Sequence, residues 1–282
     1  MEQIIRIKKL FENFNVLNKQ IIDQQAIAVV PSRKIANLPI SDLDVEEDYI
    51  FFCFTKFTKT MLAIQKLIEL ELFEDALILT RSNYECFIHA KSVVKYNNMI
   101  DHLVEYKLGL INEKRYKYVE NKKGRIVRNK IVDIANSKEF DFINQIKSIA
   151  IKANEKITYE YIYPYLCDIT HCNLITSAYY RDGIKYSYDK VNEQAKFNVL
   201  LWNVYFNLKF YNTLIEAEIF EIDELEERVL DVLISDSLKL LKVFEQEEKK
   251  AIKQLDELTG STERDSFMNY INVIKELKSN LS

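Results

Sequence analysis

Three ionisable side chains occupy one face of a helix whose other residues are mostly apolar. Arg81, Glu85 and His89 follow at intervals of four residues, which stacks them along one face of a helix predicted from Glu71 to Tyr96. A helix that is apolar nearly all round belongs inside a bundle, so these groups need partners or a chemical role. A histidine can transfer protons and an arginine can stabilise negative charge.

A second polar group lies in the later apolar stretch YPYLCDITHC. Asp168 and His171 are about one helical turn apart there. If the two helices pack together, an Arg, two carboxylates and the histidines would meet in a partly dry pocket. The alternative is a network of ion pairs that fixes the register of the helices. Spacing alone slightly favours the structural network and leaves both interpretations open.

Metal and cofactor chemistry has little support in this sequence. Cys167 and His171 have a chelating spacing, and Cys172 adjoins them, but a structural zinc site needs four ligands and no second Cys or His cluster is present. We expect the cysteines to be reduced core thiols. With Gly 4 in the whole chain, no Gly-rich phosphate loop, H-E-x-x-H or G-x-S-x-G motif occurs. The sequence predicts neither a metal nor a cofactor.

Lysine and arginine are concentrated between residues 114 and 130, although the whole chain carries a net charge of -4. Tyr116 and Tyr118 alternate with them, and basic residues mixed with aromatics suit a phosphate backbone and its bases. The alternative is a solvated helix end and loop, which this run alone favours. The candidate substrate-binding residues are Tyr165, Lys122, Lys123, Arg125 and Arg128.

Composition and periodicity predict an all-α multi-helix bundle. Hydrophobic residues make up 48% of the chain, and Gly 4 with Pro 3 leaves few of the turn residues that sheets require. Pro164 suits the first turn of a helix, and Asp182-Gly183 predicts a turn with a brief hairpin. The predicted helices cover residues 2–24, 45–69, 71–96, the segment ending near 111, 139–153, 192–220, 223–260 and the stretch from 261.

The predicted domain organisation is a helical bundle over residues 1–222 that carries the polar pocket. Residues 223–282 would form helices of the same domain, an appended hairpin or a dimerisation element. No stretch is long and apolar enough to span a membrane, and the N-terminus lacks the apolar core of a signal peptide. We therefore expect a cytoplasmic protein without a membrane partner.

Two phrases, DALILTRSNYECFIHAKSVV and YPYLCDITHCNLI, resemble a bacterial all-helical family catalogued as a domain of unknown function, number fifty-six seventy-seven. The matching positions are Arg81, Glu85, Tyr165 and His171, within a resemblance that covers roughly residues 49–178. The resemblance implies a helical fold and brings no established activity.

A weaker resemblance is to the higher eukaryotes and prokaryotes nucleotide-binding (HEPN) superfamily. Its members are helical bundles, often dimeric, with an Arg followed by a His on one helix, and many prokaryotic members are metal-independent ribonucleases of defence or toxin systems. Arg81 and His89 are similar to this motif with a wider spacing. The resemblance implies that His171 supplies the base, that Arg81 supports the phosphorane charge, and that RNA is attacked by its own 2′-hydroxyl.

The predicted function is therefore a metal-independent RNA-cleaving or RNA-binding effector of a bacterial defence or stress system. Arg81 would stabilise phosphate charge, His171 would act as acid or base, and Glu85 would orient one of them. The expected partners are RNA, a second copy of the chain and a partner protein of such a system. The alternatives are a non-catalytic sensor or interaction module, whose pocket binds a small ligand or fixes helix register, and a purely structural dimer.

Overall fold

The computed structural model describes residues 2–24, 45–111, 114–171, 174–218 and 226–240, together with residues 243 and 246. The chain divides into two compact units, each assembled from separate stretches. The first unit comprises residues 1–26, 55–84 and 157–282, and the second comprises residues 27–54 and 85–156.

The described chain is mainly helical, as predicted, and it also contains short antiparallel strands. The helices are α1 (Glu2–Gln24), α2 (Val45–Glu69), α3 (Phe73–Lys95), α4 (Tyr106–Ile111), α5 (Ile146–Lys152), α6 (Lys156–Thr170), α7 (Glu193–Glu216) and α8 (residues 226–240). A π-helical turn covers Asp101–Glu105 and a 3-10 helix covers Leu174–Tyr180. The strands are β1 (Tyr116–Glu120), β2 (Ile126–Asp133), β3 (Glu139–Asp141), β4 (Arg181–Asp182) and β5 (Lys185–Tyr186).

Helix α7 lies at the centre of the first unit. Fifteen of its 24 residues are buried, so it presents almost no face to water. The side chain of Asn192 accepts hydrogen bonds from the backbone N–H groups of Gln194 and Ala195, which caps the start of the helix. Aromatic contacts join α7 to its neighbours: the rings of Phe57 and Phe210 lie 5.1 Å apart.

Buried asparagines cross this apolar interior. Asn18 Nδ2 of α1 donates to Asn207 Oδ1 of α7 over 2.9 Å, and Tyr211 Oη donates to Asn18 Oδ1 over 2.6 Å. One helical turn earlier, Asn83 Nδ2 of α3 donates to Asn203 Oδ1 over 2.7 Å. We call these five residues the asparagine ladder. Each is almost fully buried, so the hydrogen bonds are needed to offset the loss of water.

The second unit contains a three-stranded antiparallel sheet in the order β1-β2-β3. Tyr116 pairs with Asp133, and the register shifts between Tyr118 and Val119, where β2 contains extra residues. One face of the sheet packs on an aromatic cluster. Its buried members are Tyr116, Ile131 and Phe142, and its partly buried members are Tyr106, Leu110, Tyr118 and Phe140.

This sheet was not predicted, and the helix expected over residues 139–153 is wrong. Glu139–Asp141 is a strand, and only Ile146–Lys152 is helical. The hairpin needs just one glycine because Asn121 builds the turn: its Oδ1 accepts from the N–H groups of Lys123 and Arg125. Gly124 then takes a φ of 68°. A scarcity of glycine therefore did not exclude strands here.

The predicted helices α1 and α2 are confirmed, as is the short hairpin at Asp182-Gly183. The position predicted for Pro164 is wrong, because α6 begins at Lys156 and Pro164 lies inside it. The predicted boundary after residue 222 and the helix predicted from residue 261 lie outside the described residues. Among the described helices, none combines the length and apolarity that a membrane span requires.

Candidate functional site

The basic run of the sequence forms the β-hairpin of strands β1 and β2. At its tip, Gly124 N–H donates to the carbonyl oxygen of Asn121 over 2.9 Å. We call residues 119–128 the cationic hairpin. Its four basic side chains are exposed and make no ion pair in the described part of the chain. They are Lys122, Lys123, Arg125 and Arg128.

The base of the hairpin is electrostatically different from its tip. Arg115 Nε lies 3.6 Å from Asp133 Oδ2, and the Arg115 guanidinium lies 4.9 Å from the centroid of the Tyr116 ring. Lys130 Nζ lies 3.9 Å from Glu139 Oε2. Arg115 and Lys130 near the base thus have acidic neighbours, whereas the four cations of the cationic hairpin are open to a ligand from solution.

Close packing fixes the base of the hairpin against α4. A Cβ atom built on Gly109 would lie 2.4 Å from Tyr116 Cδ2, so only glycine allows this approach. The Arg115 N–H donates to the carbonyl oxygen of Gly109 over 2.8 Å. The rings of Tyr106 and Tyr116 meet edge to face at 5.3 Å. The cationic tip is therefore carried by a packed base.

Arg81 packs into an aromatic group on α6. Its Nη2 donates to Tyr163 Oη over 2.9 Å, and its guanidinium lies 5.1 Å from the centroid of that ring. Tyr163 also stacks on Tyr159 at 5.1 Å and contacts the ring of Tyr84 at 5.5 Å. A cation held against a tyrosine face is stabilised by the ring as well as by the hydrogen bond. Arg81 is half-buried in this position.

Asp168 and His171 are both exposed, which differs from the partly dry pocket expected from the sequence. Asp168 lies in the last turn of α6, whose buried residues there are Leu166 and Ile169. The backbone N–H of His171 donates to the carbonyl oxygen of Cys167 just beyond the helix end. The catalytic roles of Asp168 and His171 stay predictions.

Glu85 and His89 are half-buried on the part of α3 that belongs to the second unit. Arg81, Asp168 and His171 belong to the first unit, so the predicted site draws on residues of both. The described residues contain no group of three or more His, Cys, Asp or Glu side chains that could hold a metal ion.

Tyr165 belongs to a polar cluster that the sequence analysis recognised only in part. Its Oη accepts from Asn198 Nδ2 over 2.9 Å and lies 3.4 Å from Tyr179 Oη. Burial raises the pKa of Tyr165, and the charge of Glu74 adds to that rise. Tyr165 is thus a neutral hydroxyl, fixed by its neighbours at any physiological pH.

Glu74 is a buried carboxyl that sequence reasoning missed. It resembles an ordinary acidic residue in the first turn of α3. In the structure it is 7% exposed, and its Oε1 makes no hydrogen bond within the described residues. Burial raises the pKa of Glu74, although Lys190 acts in the opposite direction.

His102 was also missed, because it is isolated in the sequence from other residues that suggest chemistry. It lies on the π-helical turn Asp101–Glu105, and such turns are frequent at functional sites. Its Nδ1 accepts from the N–H of Ile143 over 3.3 Å. Irregular helix geometry of this kind has no simple sequence signal.

Comparison with known families supports the first of the two resemblances. Residues 47–183 match the family model described as Family of unknown function (DUF5677). This range contains Arg81, Glu85, Tyr165, His171 and the whole cationic hairpin. No curated protein and no solved structure matches the chain. The similarity is to a family without an assigned activity, so function must be argued from the geometry.

Proposed function

We propose that the protein binds RNA through the cationic hairpin. The observation that carries this proposal is a set of four exposed cations at a hairpin tip, Lys122, Lys123, Arg125 and Arg128, without acidic partners in the described residues. Contacts to phosphates supply most of the affinity of a protein that binds nucleic acid without sequence preference. Each of these side chains can make such a contact.

The charge distribution supports local binding. The chain as a whole carries a net charge of -4, so it has no global attraction for a polyanion. Between residues 114 and 130, in contrast, eight Lys and Arg residues accompany a single acidic residue, Glu120. A polyanion would therefore be drawn to the cationic hairpin rather than to the chain as a whole. The choice of RNA follows from the nucleotide-binding resemblance, and a matched DNA strand tests it.

Binding is tested by fluorescence anisotropy of a labelled single-stranded RNA with the full chain. A variant with Gln at Lys122, Lys123, Arg125 and Arg128 should bind at least about tenfold more weakly, because four phosphate contacts are lost. The matched control carries Gln at four exposed lysines elsewhere, Lys8, Lys19, Lys56 and Lys59. It should bind within about twofold of the unmodified chain. Equal weakening of both variants would contradict the proposal.

The same mixtures, separated on a denaturing gel, report on cleavage. In the predicted effector of a defence or stress system, Arg81 and His171 would cleave RNA. Products that disappear in both Arg81→Ala and His171→Ala would support that catalytic role. Intact RNA would leave the protein as a binder, and an absence of binding would favour the ligand-sensor alternative.

A further inference from the structure

A second group of polar and aromatic side chains surrounds His102 in the same unit as the cationic hairpin. The imidazole is half-buried on the π-helical turn. The ring of Tyr106 meets it edge to face at 5.2 Å, and the ring of Tyr96 lies 6.5 Å away. Lys152 Nζ lies 3.9 Å from the centroid of the Tyr96 ring. Aromatic rings around a polar group are typical of sites that hold an unstacked base.

The hydrogen bond at Nδ1 determines what His102 can offer a ligand. Because Nδ1 accepts from the Ile143 N–H, the hydrogen of the neutral ring lies on Nε2. Burial lowers the pKa of His102, so the neutral ring predominates at physiological pH. Nε2 makes no hydrogen bond within the described residues. His102 thus presents one N–H donor.

Two carboxylates accompany this donor. Asp101 precedes His102 on the π-helical turn, and Asp141 lies two residues before Ile143, whose N–H donates to His102 Nδ1, so both carboxylates lie near the ring. Both act to raise the pKa of His102, whereas Lys152 acts to lower it. Two carboxylates disfavour a phosphate at this position. Together with the His102 N–H, they favour a ligand edge on which hydrogen-bond donors lie beside an acceptor.

Among the nucleobases, guanine has the edge that fits this set. Its Watson–Crick edge places the O6 acceptor beside two adjacent donors, N1–H and N2–H, which the two oxygens of one carboxylate can accept together. Adenine, cytosine and uracil each present a single donor group on that edge. We propose that His102, with Asp101 or Asp141, forms a guanine subsite for RNA held by the cationic hairpin. His102 Nε2 would donate to O6, a carboxylate would accept from the ring N–H and the amino group, and Tyr96 or Tyr106 would contact the base.

The subsite and the hairpin share one packed base, which makes their joint use reasonable. Tyr106, which touches His102, also packs on Tyr116 of β1 at 5.3 Å and on Phe142 at 6.4 Å. Ile143, whose N–H orients His102, follows two residues after β3. This inference rests on the proposed RNA binding and adds base preference to it.

The test measures anisotropy with an oligouridine that carries one guanine and with the same strand carrying adenine instead. The full chain should prefer the guanine strand by roughly 5-fold to 100-fold. His102→Ala should abolish this preference and leave the affinity for plain oligouridine within about twofold, because the hairpin contacts remain. His102→Gln keeps an N–H donor at a similar reach and should retain part of the preference.

The outcomes separate this inference from the proposed function. Binding that depends on the hairpin but shows no preference for guanine, or a preference that survives in His102→Ala, overturns the guanine subsite alone. Failure of the unmodified chain to bind either strand overturns both. If His102→Ala does not fold, as judged by circular dichroism, the full chain and His102→Gln still test the guanine subsite. An absence of guanine preference in the full chain, or an undiminished preference in His102→Gln, would contradict it.

Discussion

The asparagine ladder of the first unit and the cationic hairpin of the second unit are both polar, yet they have opposite surroundings. Asn18, Asn203 and Asn207 are almost fully buried, and each is hydrogen-bonded to another side chain. Lys122 and Arg125 are exposed without an acidic partner in the described chain. The first arrangement specifies how helices pack, and the second leaves charge available for a ligand.

Energetics explain why these two arrangements have different consequences. A buried polar group that loses its partner costs about 1–3 kcal/mol, so the ladder must stay complete for the unit to be stable. An exposed ion pair is worth about 0–1 kcal/mol, so a missing acidic partner at the hairpin tip has little effect on stability. Buried networks should therefore respond to mutation through stability, and the hairpin through binding.

The largest expected effect on stability is at Asn207. Asn207→Ala removes the acceptor of Asn18 Nδ2, leaves that donor buried and opens a small cavity, so the free energy of unfolding should fall by about 2–3 kcal/mol. Urea denaturation followed by circular dichroism measures this. Asn212→Ala, on the same helix, loses only a surface bond to Glu216 and should cost less than about 0.5 kcal/mol.

A double variant tests whether the loss of stability in Asn207→Ala comes from the unpaired Asn18 side chain. Replacing Asn18 and Asn207 together by Leu removes this donor and this acceptor at once. Tyr211 Oη loses its Asn18 acceptor in the double variant as it does in Asn18→Leu, so the cost of the double variant should be clearly below the summed costs of Asn18→Leu and Asn207→Leu. Unchanged stability in Asn207→Ala would mean that the ladder does not hold the first unit together, and the contrast with the hairpin would be lost.

The next effect concerns the base of the hairpin. Gly109→Ala places a methyl group against the buried Tyr116 ring. The free energy of unfolding should fall by about 1–2 kcal/mol, even though alanine has the higher helix propensity. Tyr116→Leu in the same chain provides space and should recover part of that loss. The variant with four Gln residues at the tip should melt like the unmodified chain. A destabilised tip variant would contradict the division between base and tip.

The smallest effect is expected at Glu74, which is buried like the ladder but incompletely bonded. Because its folded-state pKa is raised, the unmodified chain should lose stability as pH rises from the ordinary carboxyl pKa through the raised value. Glu74→Gln should remove this loss and raise the Tm near neutral pH by no more than about 2–4 °C. At acidic pH the two chains should melt alike. A lower Tm for Glu74→Gln at neutral pH would show that the carboxylate is stabilising.

Much of the helical architecture could be predicted because apolar residues at helical spacing determine which face is buried. The buried residues Ile7, Leu10, Phe14 and Ile21 of α1 follow that period. The sheet was missed because the alternation of Tyr116 and Tyr118 lies within a basic run, and Asn121 replaces the expected turn glycines. Strand pairing depends on distant residues, which periodicity within one segment does not reveal.

The candidate site was predictable to a lesser degree. The concentration of cations in the hairpin was visible as composition, but its division into a paired base and an unpaired tip depends on Asp133 and Glu139 coming close in space. Arg81 was singled out by its place on an apolar helix, but its aromatic partner Tyr163 could not be. Asp168 was expected to be buried because its neighbours are apolar, whereas the rotation of α6 exposes it.

The most direct test of the hairpin's role is the salt dependence of RNA binding. For a single strand, the slope of log K against log[salt] is about −0.7 per phosphate contact. The slope of the variant with Gln at Lys122, Lys123, Arg125 and Arg128 should therefore be smaller in magnitude by about 3 than that of the unmodified chain. The control at Lys8, Lys19, Lys56 and Lys59 should keep the slope of the unmodified chain. An identical slope in the hairpin variant would show that RNA contacts another surface and would contradict the account.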